Sequence, residues 1–340
     1  MDTTMTPHLP ETGASETTCF LGIDVGKEQL DLALLTPDGR THAKTARNDD
    51  AGHAALLRWL GRFTDTLSGV HACLEASGGY EDAAAVALHE AGLAVSVVNP
   101  RRTAAYADVQ LRRSKTDRGD AALLARFCER ERPALWTPPS DEARVLRQLT
   151  RGLDAIKRDR DRTRARRRRM PEGRPRDAMD AVLVTYKEQI KAIEAAIEAH
   201  LAEHPELARQ RDLLVTIPGV AAQTAAIVIA ELGDASAFKS ARSVAAYAGL
   251  VPRHYQSGTS VRRHPRLSKV GNARLRRAMY FPAISAMRHN DAVRALAERM
   301  QAKGKSKMSV VGASMRKLVQ ICYGVLVSER PFDASLHPAP

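Results

Sequence analysis

The chain is expected to fold as an α/β domain with a mixed sheet, followed by a long helical hairpin or coiled coil and an all-α C-terminal domain. Three observations predict this. Short apolar runs of strand length alternate with turn signals and helical periodicity over residues 19–132. A stretch with three prolines, "ERPALWTPPSDEA" at 131–143, then marks a boundary. Beyond it, helical periodicity takes over, first in a polar stretch at 141–205 and then in a more apolar one at 210–330.

The elements follow in order. Cys19–Val25 and Leu30–Leu35 are apolar runs joined by "VGKEQ", the pattern of a hairpin. "TPDGR" is a turn, and a third strand is expected at His42–Ala46. Residues 49–66 carry helical periodicity, Val70–Glu75 reads as a buried strand, and Tyr80–Ala91 as a helix. Ala94–Val98 is a strand stopped by Asn99–Pro100, and a helix is expected from Asp117 to Glu131. The order β-β-β-α-β-α-β-α, a meander followed by crossovers, is the RNase H-like layout. In the polar helical region, "MPEGRPRD" at 170–177 interrupts the helix. Val182, Ile190, Ile193, Ile197 and Leu201 then form an apolar stripe suited to an antiparallel partner. "TIPGVAAQTAAIVIAELGD" reads as helix, tight turn, helix, a helix-hairpin-helix pattern, and further helices run to a loose tail at 331–340. Residues 1–18 are rich in Thr, Pro and Glu and are expected to be disordered. They lack the basic and apolar regions of a signal peptide.

Composition narrows the partner. The 340 residues carry a net charge of +13, with basic residues clustered, which favours nucleic acid over a membrane surface. Aromatics are only 4%, so stacking of many bases is not the main binding mode. Cys19, Cys73, Cys128 and Cys322 form no CxxC pair and read as reduced, buried thiols, fitting a cytoplasmic protein at the nucleoid. No apolar run has the length of a membrane span.

Four carboxylates stand out: Asp24 in "GIDVGKE", Glu75 in "LEASGGYE", and Asp117 and Asp120 in "KTDRGDAALLA". The first two end strands, and the pair at i,i+3 shares one face of a helix. Two like charges about 4 Å apart repel by roughly 4 kcal/mol at an effective dielectric near 20. A convergent set therefore binds a hard, oxygen-seeking cation or holds protons. Taken singly, Asp24 suits a turn, Asp117 a helix N-cap and Glu75 a solvated strand end. Asp31 is a weaker candidate, expected to face outward. "GIDVGKE" also fits the phosphate hairpin of actin-like and sugar-kinase ATPases, but a second Gly-rich loop and an adenosine segment are not recognisable.

Basic residues supply the polyanion contacts. "KRDRDRTRARRRR" at 157–169 includes Arg164, Arg166, Arg167, Arg168 and Arg169. The turn at Pro218–Gly219 would present backbone N–H groups of a following helix to a phosphate, with Gly219 at its centre. In "GLVPRHYQSGTSVRRHPRLSKVGNARLRR", Ser257 and Ser260 lie on a Gly-containing loop among Arg253, Arg262, Arg263, Arg266 and Lys269, with Arg274, Arg276 and Arg277 heading the next helix. A serine hydroxyl there serves either as nucleophile or as a phosphate ligand.

Together these motifs resemble the DEDD transposases of the insertion-sequence "one-ten" family, which are bridge-RNA-guided DNA recombinases, over residues 20–330. The resemblance implies a RuvC-like N-terminal domain whose metal-binding carboxylates fall on Asp24, Glu75, Asp117 and Asp120. It implies a catalytic serine at Ser257 in "YQSG". It further implies Mg²⁺, as two ions, DNA and a non-coding bridge RNA as partners, and dimers pairing into a tetramer. Ser257 would form a covalent phosphoserine link while the carboxylates hold the metal at the same phosphate. The alternative is a hydrolytic, junction-resolving nuclease of RuvC type. Ser77 departs from the commoner Thr, and "RARRRRMPEGRPRD" is unusually basic.

Overall fold

A computed structural model of the chain describes residues 19–110, 117–257 and 261–336, with side chains undescribed at 117, 118, 254–257, 261–265 and 336. The expectations for residues 1–18, for Ser260 and for the end of the tail lie outside the described residues. The chain divides into two compact units, Met1–Pro138 and Pro139–Pro340.

In the first unit a five-stranded sheet has the order β3-β2-β1-β4-β5. Its strands are β1 (Cys19–Val25), β2 (Gln29–Leu35), β3 (Thr41–Arg47), β4 (Val70–Glu75) and β5 (Ala94–Val98). β2 pairs antiparallel with β1 and β3, and β4 pairs parallel with β1 and β5. This is the RNase H-like arrangement the sequence predicts. Alternation sends Leu21, Ile23, Leu32 and Leu74 to one face, where they meet Leu56, Leu60 and Leu88 of α1 (Asp50–Leu60) and α2 (Asp82–Glu90). The opposite face, carrying Phe20, Leu35 and Cys73, packs against Leu124, Ala125 and Cys128 of α4 (Asp117–Glu131).

One helix is added to the expected order. Asn99–Pro100 not only ends β5 but begins α3 (Pro100–Val109). The Asn99 side chain caps it by accepting from the Arg101 N–H at 2.9 Å, and proline fits the first helical turn, where its missing N–H costs nothing. The helix expected at 49–66 ends earlier, at Leu60, with Gly61 as its cap.

The second unit is helical, built from α5 (Asp141–Arg167), α6 (Arg174–Glu203), α7 (Pro205–Val215), α8 (Ala222–Leu232), α9 (Ala241–Tyr247), α10 (Ala273–Ala278), α11 (Tyr280–His289), α12 (Asp291–Ala302) and α13 (Lys307–Ser328). α5 and α6 form the expected hairpin. Of its stripe, Ile190, Ile197 and Leu201 are buried and Ile193 packs at the margin, but Val182 is exposed because α6 there extends beyond the shared core. Leu146 and Leu153 of α5 join the same core as α7–α13. α13 is long and apolar enough to cross a membrane, yet 56% of its apolar window is buried inside this unit, where Leu318, Val319 and Cys322 are core residues.

This unit is not all-α as expected. A two-stranded hairpin, β6 (Pro252–Ser257) with β7 (Val261–Leu267), pairs Ser257 with Val261 and Pro252 with Leu267. The sequence there is polar and Arg-rich and shows no apolar alternation, so the pairing was not legible in it.

Candidate active site and nucleic-acid interface

The sheet's geometry gathers the acids of the first unit. Ile23 lies opposite Leu74 in the parallel β1–β4 pair, so the next residues, Asp24 and Glu75, reach the same end of adjacent strands. Asp24 also sits directly opposite Asp31 on β2, and Asp31 opposite Thr45 on β3. Directly paired residues point to one face, so Asp24, Asp31 and Glu75 line the face that α4 covers. This is the carboxyl edge of the parallel strands, where open α/β sheets place their ligands.

α4 crosses that face antiparallel to β1. Cys128 donates to the His71 carbonyl at 3.6 Å, level with Phe20, while Ala121 and Ala125 lie over Gly22. One further turn back brings Asp120 and Asp117 toward Asp24 and Glu75. The approach is close: a Cβ on Gly22 would stand 2.0 Å from the Ala121 carbonyl oxygen and 2.3 Å from the Ala125 nitrogen. Only glycine admits α4 here. Opposite it, Ala33 keeps the neighbouring strand equally low.

Further side chains hold this edge. The Thr103 hydroxyl of α3, itself buried, donates to Glu75 Oε1. Glu81 is buried after the "SGG" loop, and its Oε2 accepts from the Ser77 N–H at 3.0 Å, the Ser77 hydroxyl at 2.9 Å and the Gly79 N–H at 2.8 Å. A serine therefore performs the loop bond that a threonine hydroxyl also offers. Asp31 is buried rather than outward-facing, because β2 is covered on both sides, and it accepts from Thr45 Oγ1 and Gln29 Nε2 at 3.1 Å each. A hard cation fits this donor set, which is all carboxylate oxygen at one strand edge.

In the second unit, motif residues build a buried polar network. Glu231 lies 3.1 Å from the Arg151 guanidinium and accepts from the Asn272 amide at 2.8 Å, while the Tyr247 hydroxyl donates to the Glu231 carbonyl at 3.0 Å. Burial alone would raise the Glu231 carboxyl, but Arg151 and Asn272 outweigh it and hold the pKa below the usual range. The Asn272 Oδ1 meanwhile caps α10, accepting from the Arg274 and Leu275 N–H groups at 3.0 Å.

The cations divide by environment. Arg164, Arg166, Arg168 and Arg169 are exposed, with no side-chain ion pair among the described residues, but Arg167 is held fork-on by Asp180 at 2.8 Å through both oxygens. Arg253, Arg266 and Lys269 are exposed, Arg276 donates to the Ala248 carbonyl at 3.0 Å, and Arg277 pairs with Asp154 at 3.0 Å. Arg274 is half-buried, and loss of solvent lowers its guanidinium pKa. Gly219 has φ +102°, and a Cβ there would stand 2.9 Å from the Ala286 Cβ of α11, so packing as well as turn geometry requires it. Ser257 ends β6 at the tip of the hairpin.

Residues 21–170 match a DEDD transposase model of the IS110 type, described as "Transposase", and residues 211–298 match "Transposase IS116/IS110/IS902 family". A pilin gene-inverting protein of Moraxella lacunata is 34% identical over 94% of this chain and 98% of its own length. The chain belongs to the IS110 family of DNA transposases. A second pilin gene-inverting protein, from Moraxella bovis, is 33% identical over the same shares. An uncharacterised IS110 protein of Streptomyces coelicolor is 33% identical over 42% of the chain and 34% of its own length. Among solved structures, Thermus thermophilus RuvC bound to a Holliday junction covers 34% of the chain and 96% of its own, at 17% identity and TM-score 0.26.

For the transposase, the fold thus brings Asp24 and Glu75 to one edge and directs the start of α4 toward them. Thr103 and Glu81 were missed because an isolated Thr or Glu carries no spacing signal, whereas Asp31 was singled out but expected on the wrong face. The Arg151–Glu231–Asn272 network was missed because its members are separated by about 120 residues in all, as their numbers show.

Proposed function

We propose that the transposase cuts and rejoins DNA through a serine nucleophile, Ser257, with Asp24, Glu75, Asp117 and Asp120 holding Mg²⁺, as two ions, at the same phosphodiester. The observation that carries this reading is the meeting of Asp24 and Glu75 at one strand edge, beneath the N-terminal end of the helix that bears the other two acids. When bound, the metal would neutralise charge on the phosphate under attack. The serine hydroxyl forms a bond to phosphorus, the bond to the leaving sugar oxygen breaks, and the hydroxyl proton passes to that oxygen. The phosphoserine conserves a phosphodiester for reversal by another DNA end. This suits recombination: the Moraxella relatives are named for inverting a gene, a rearrangement in which each broken link is remade.

The exposed arginines at 164–169, together with Arg253, Arg262, Arg263, Arg266, Lys269, Arg274, Arg276 and Arg277, contact DNA or RNA backbones and leave target choice to base pairing with a bridge RNA. The Gly219 turn of a helix-hairpin-helix element adds backbone docking. α5 and α6 supply contacts for a dimer that pairs into a tetramer.

The test is adduct formation. A Ser257→Ala variant is expected to bind nucleic acid normally yet give no protein–DNA adduct on denaturing gels. An adduct that persists in this variant sinks the serine role. Nicked products with free ends, and no adduct from the unaltered protein, establish a hydrolytic nuclease instead.

A further inference from the structure

The corner between α6 and α7 gathers a second set of ligand atoms, unrelated to the acidic edge. His200 and Glu203 lie on one face of the last turn of α6, and His204 is the joint residue that precedes Pro205. One ligand atom from each of His200, Glu203 and His204 lies within 4.8 Å of the other two. The two imidazole rings are 4.4 Å apart, centroid to centroid, and inclined at 70°.

Two details make this more than a solvated helix end. His200 Nε2 is 2.8 Å from the Glu142 backbone oxygen, in the first turn of α5. A carbonyl only accepts, so Nε2 carries the proton and Nδ1 keeps its lone pair. A histidine whose other ring N–H is anchored on a carbonyl is the usual metal-ligating arrangement, with tautomer and ring orientation fixed in advance. His204 occupies the N-cap of α7 but makes no side-chain capping bond, so helix capping does not account for its ring. Glu203 is exposed and both histidines are half-buried, leaving the set open to an ion from solvent.

We propose that His200, Glu203 and His204 form a binding site for a divalent cation of the zinc class. Two imidazoles and one carboxylate suit zinc, nickel or copper rather than magnesium, which prefers oxygen alone. Tetrahedral zinc with bonds near 2.1 Å needs ligand atoms about 3.4 Å apart, within reach of side-chain rotation from the present spacing. Three protein ligands leave a fourth position for water. The site lies where the end of α6, the start of α7 and, through the Glu142 carbonyl, the start of α5 meet. A bound ion therefore pins the base of the helical hairpin to the rest of its unit.

The experiment uses tag-free, full-length protein stripped with chelator, then titrated with Zn²⁺ and separately with Co²⁺ as an optical probe. One equivalent of zinc per chain is expected, with Co²⁺ giving tetrahedral d–d bands and excess Mg²⁺ failing to compete. Asp24→Asn with Glu75→Gln should keep that equivalent, which separates this site from the acidic edge. His204→Asn, which puts a side chain suited to the N-cap there, and His200→Ala should each weaken binding on the order of tenfold or more. Circular dichroism checks that they fold. The proposal is overturned if the unaltered protein takes up no zinc at micromolar concentration, or if His204→Asn binds it unchanged. Should His200→Ala fail to fold, the His204→Asn titration decides alone.

Discussion

Thr103 has one hydroxyl, set between Glu75 Oε1 and the Pro100 carbonyl oxygen, the latter at 2.9 Å. The bond to Glu75 fixes the carboxylate at the strand edge without adding charge, so removing it disturbs position more than stability. Thr103→Val keeps the shape and loses the donor. Strand cleavage should fall by about 10- to 100-fold, the usual cost of losing a group that orients a ligand, while nucleic-acid binding measured by gel shift stays within about twofold. His71 sets a second residue-scale expectation. Burial, and then the positive charge of Arg132, push its pKa below the ordinary 6.5. It donates through Nε2 to Ser96 Oγ at 2.8 Å, and Ser96 donates in turn to the Ala134 carbonyl at 2.9 Å. His53 is lowered too, chiefly by burial against the opposing pull of Asp50 and Asp49. The unfolded chain then binds protons more readily than the folded one. The stability these neutral imidazoles contribute is full above pH 6.5 and is lost as pH falls through their lowered folded values. Thermal unfolding followed from about pH 7.5 to about pH 5 should show a declining midpoint, and a shallower decline in His71→Gln. An unchanged slope in that variant would contradict the assignment.

At the scale of elements, the seat of α4 on β1 matters most. Gly22 has a carbonyl 2.0 Å from where a Cβ would lie, so the helix must move if any side chain is added. Gly22→Ala should destabilise the first unit by about 1–3 kcal/mol, as overpacking generally does. It should also cost cleavage activity beyond that loss, because α4 carries Asp117 and Asp120. Urea unfolding alongside cleavage assays under fully folded conditions separates the two effects. Glu231 is the corresponding keystone of the second unit. Glu231→Leu removes the carboxylate that faces Arg151 and an acceptor of the Asn272 amide, and breaking a buried pair costs about 3–5 kcal/mol. Since the Arg151 side chain is 25% exposed, the lower end is expected. A shift in urea midpoint with unchanged slope is the measurement.

For the whole molecule, a net charge of +13 predicts salt-sensitive association with nucleic acid. The exposed set Arg164, Arg166, Arg168 and Arg169 should carry part of that dependence, and Arg167, engaged by Asp180, little of it. Replacing the four by alanine should flatten the plot of log affinity against log salt by about 0.9 for every duplex phosphate that is no longer neutralised. Arg167→Ala should leave the slope unchanged and instead loosen the α5–α6 hairpin. An equal flattening in both variants would remove the distinction between free and engaged cations.

The sequence by itself determined the sheet. Its short apolar runs set Leu21, Ile23, Leu32 and Leu74 on one face, and a one-residue slip would send them all to the face that α4 covers. It also determined the chemistry available, because four carboxylates and a serine among arginines survive any packing. It missed α3, where a proline that stops a strand equally starts a helix, and the β6–β7 hairpin, whose polar, Arg-rich sequence shows no apolar alternation. Only the tertiary structure decided which acids meet. Strand register sets Asp24 beside Glu75, the bare α-carbon of Gly22 lets α4 descend over them, and Thr103, Glu81 and Asp31 take their places through contacts between segments far apart in the chain. Periodicity is a local property and legible in one dimension. Convergence depends on how layers stack, and stacking is fixed by close packing among residues that carry no sequence signal of their own.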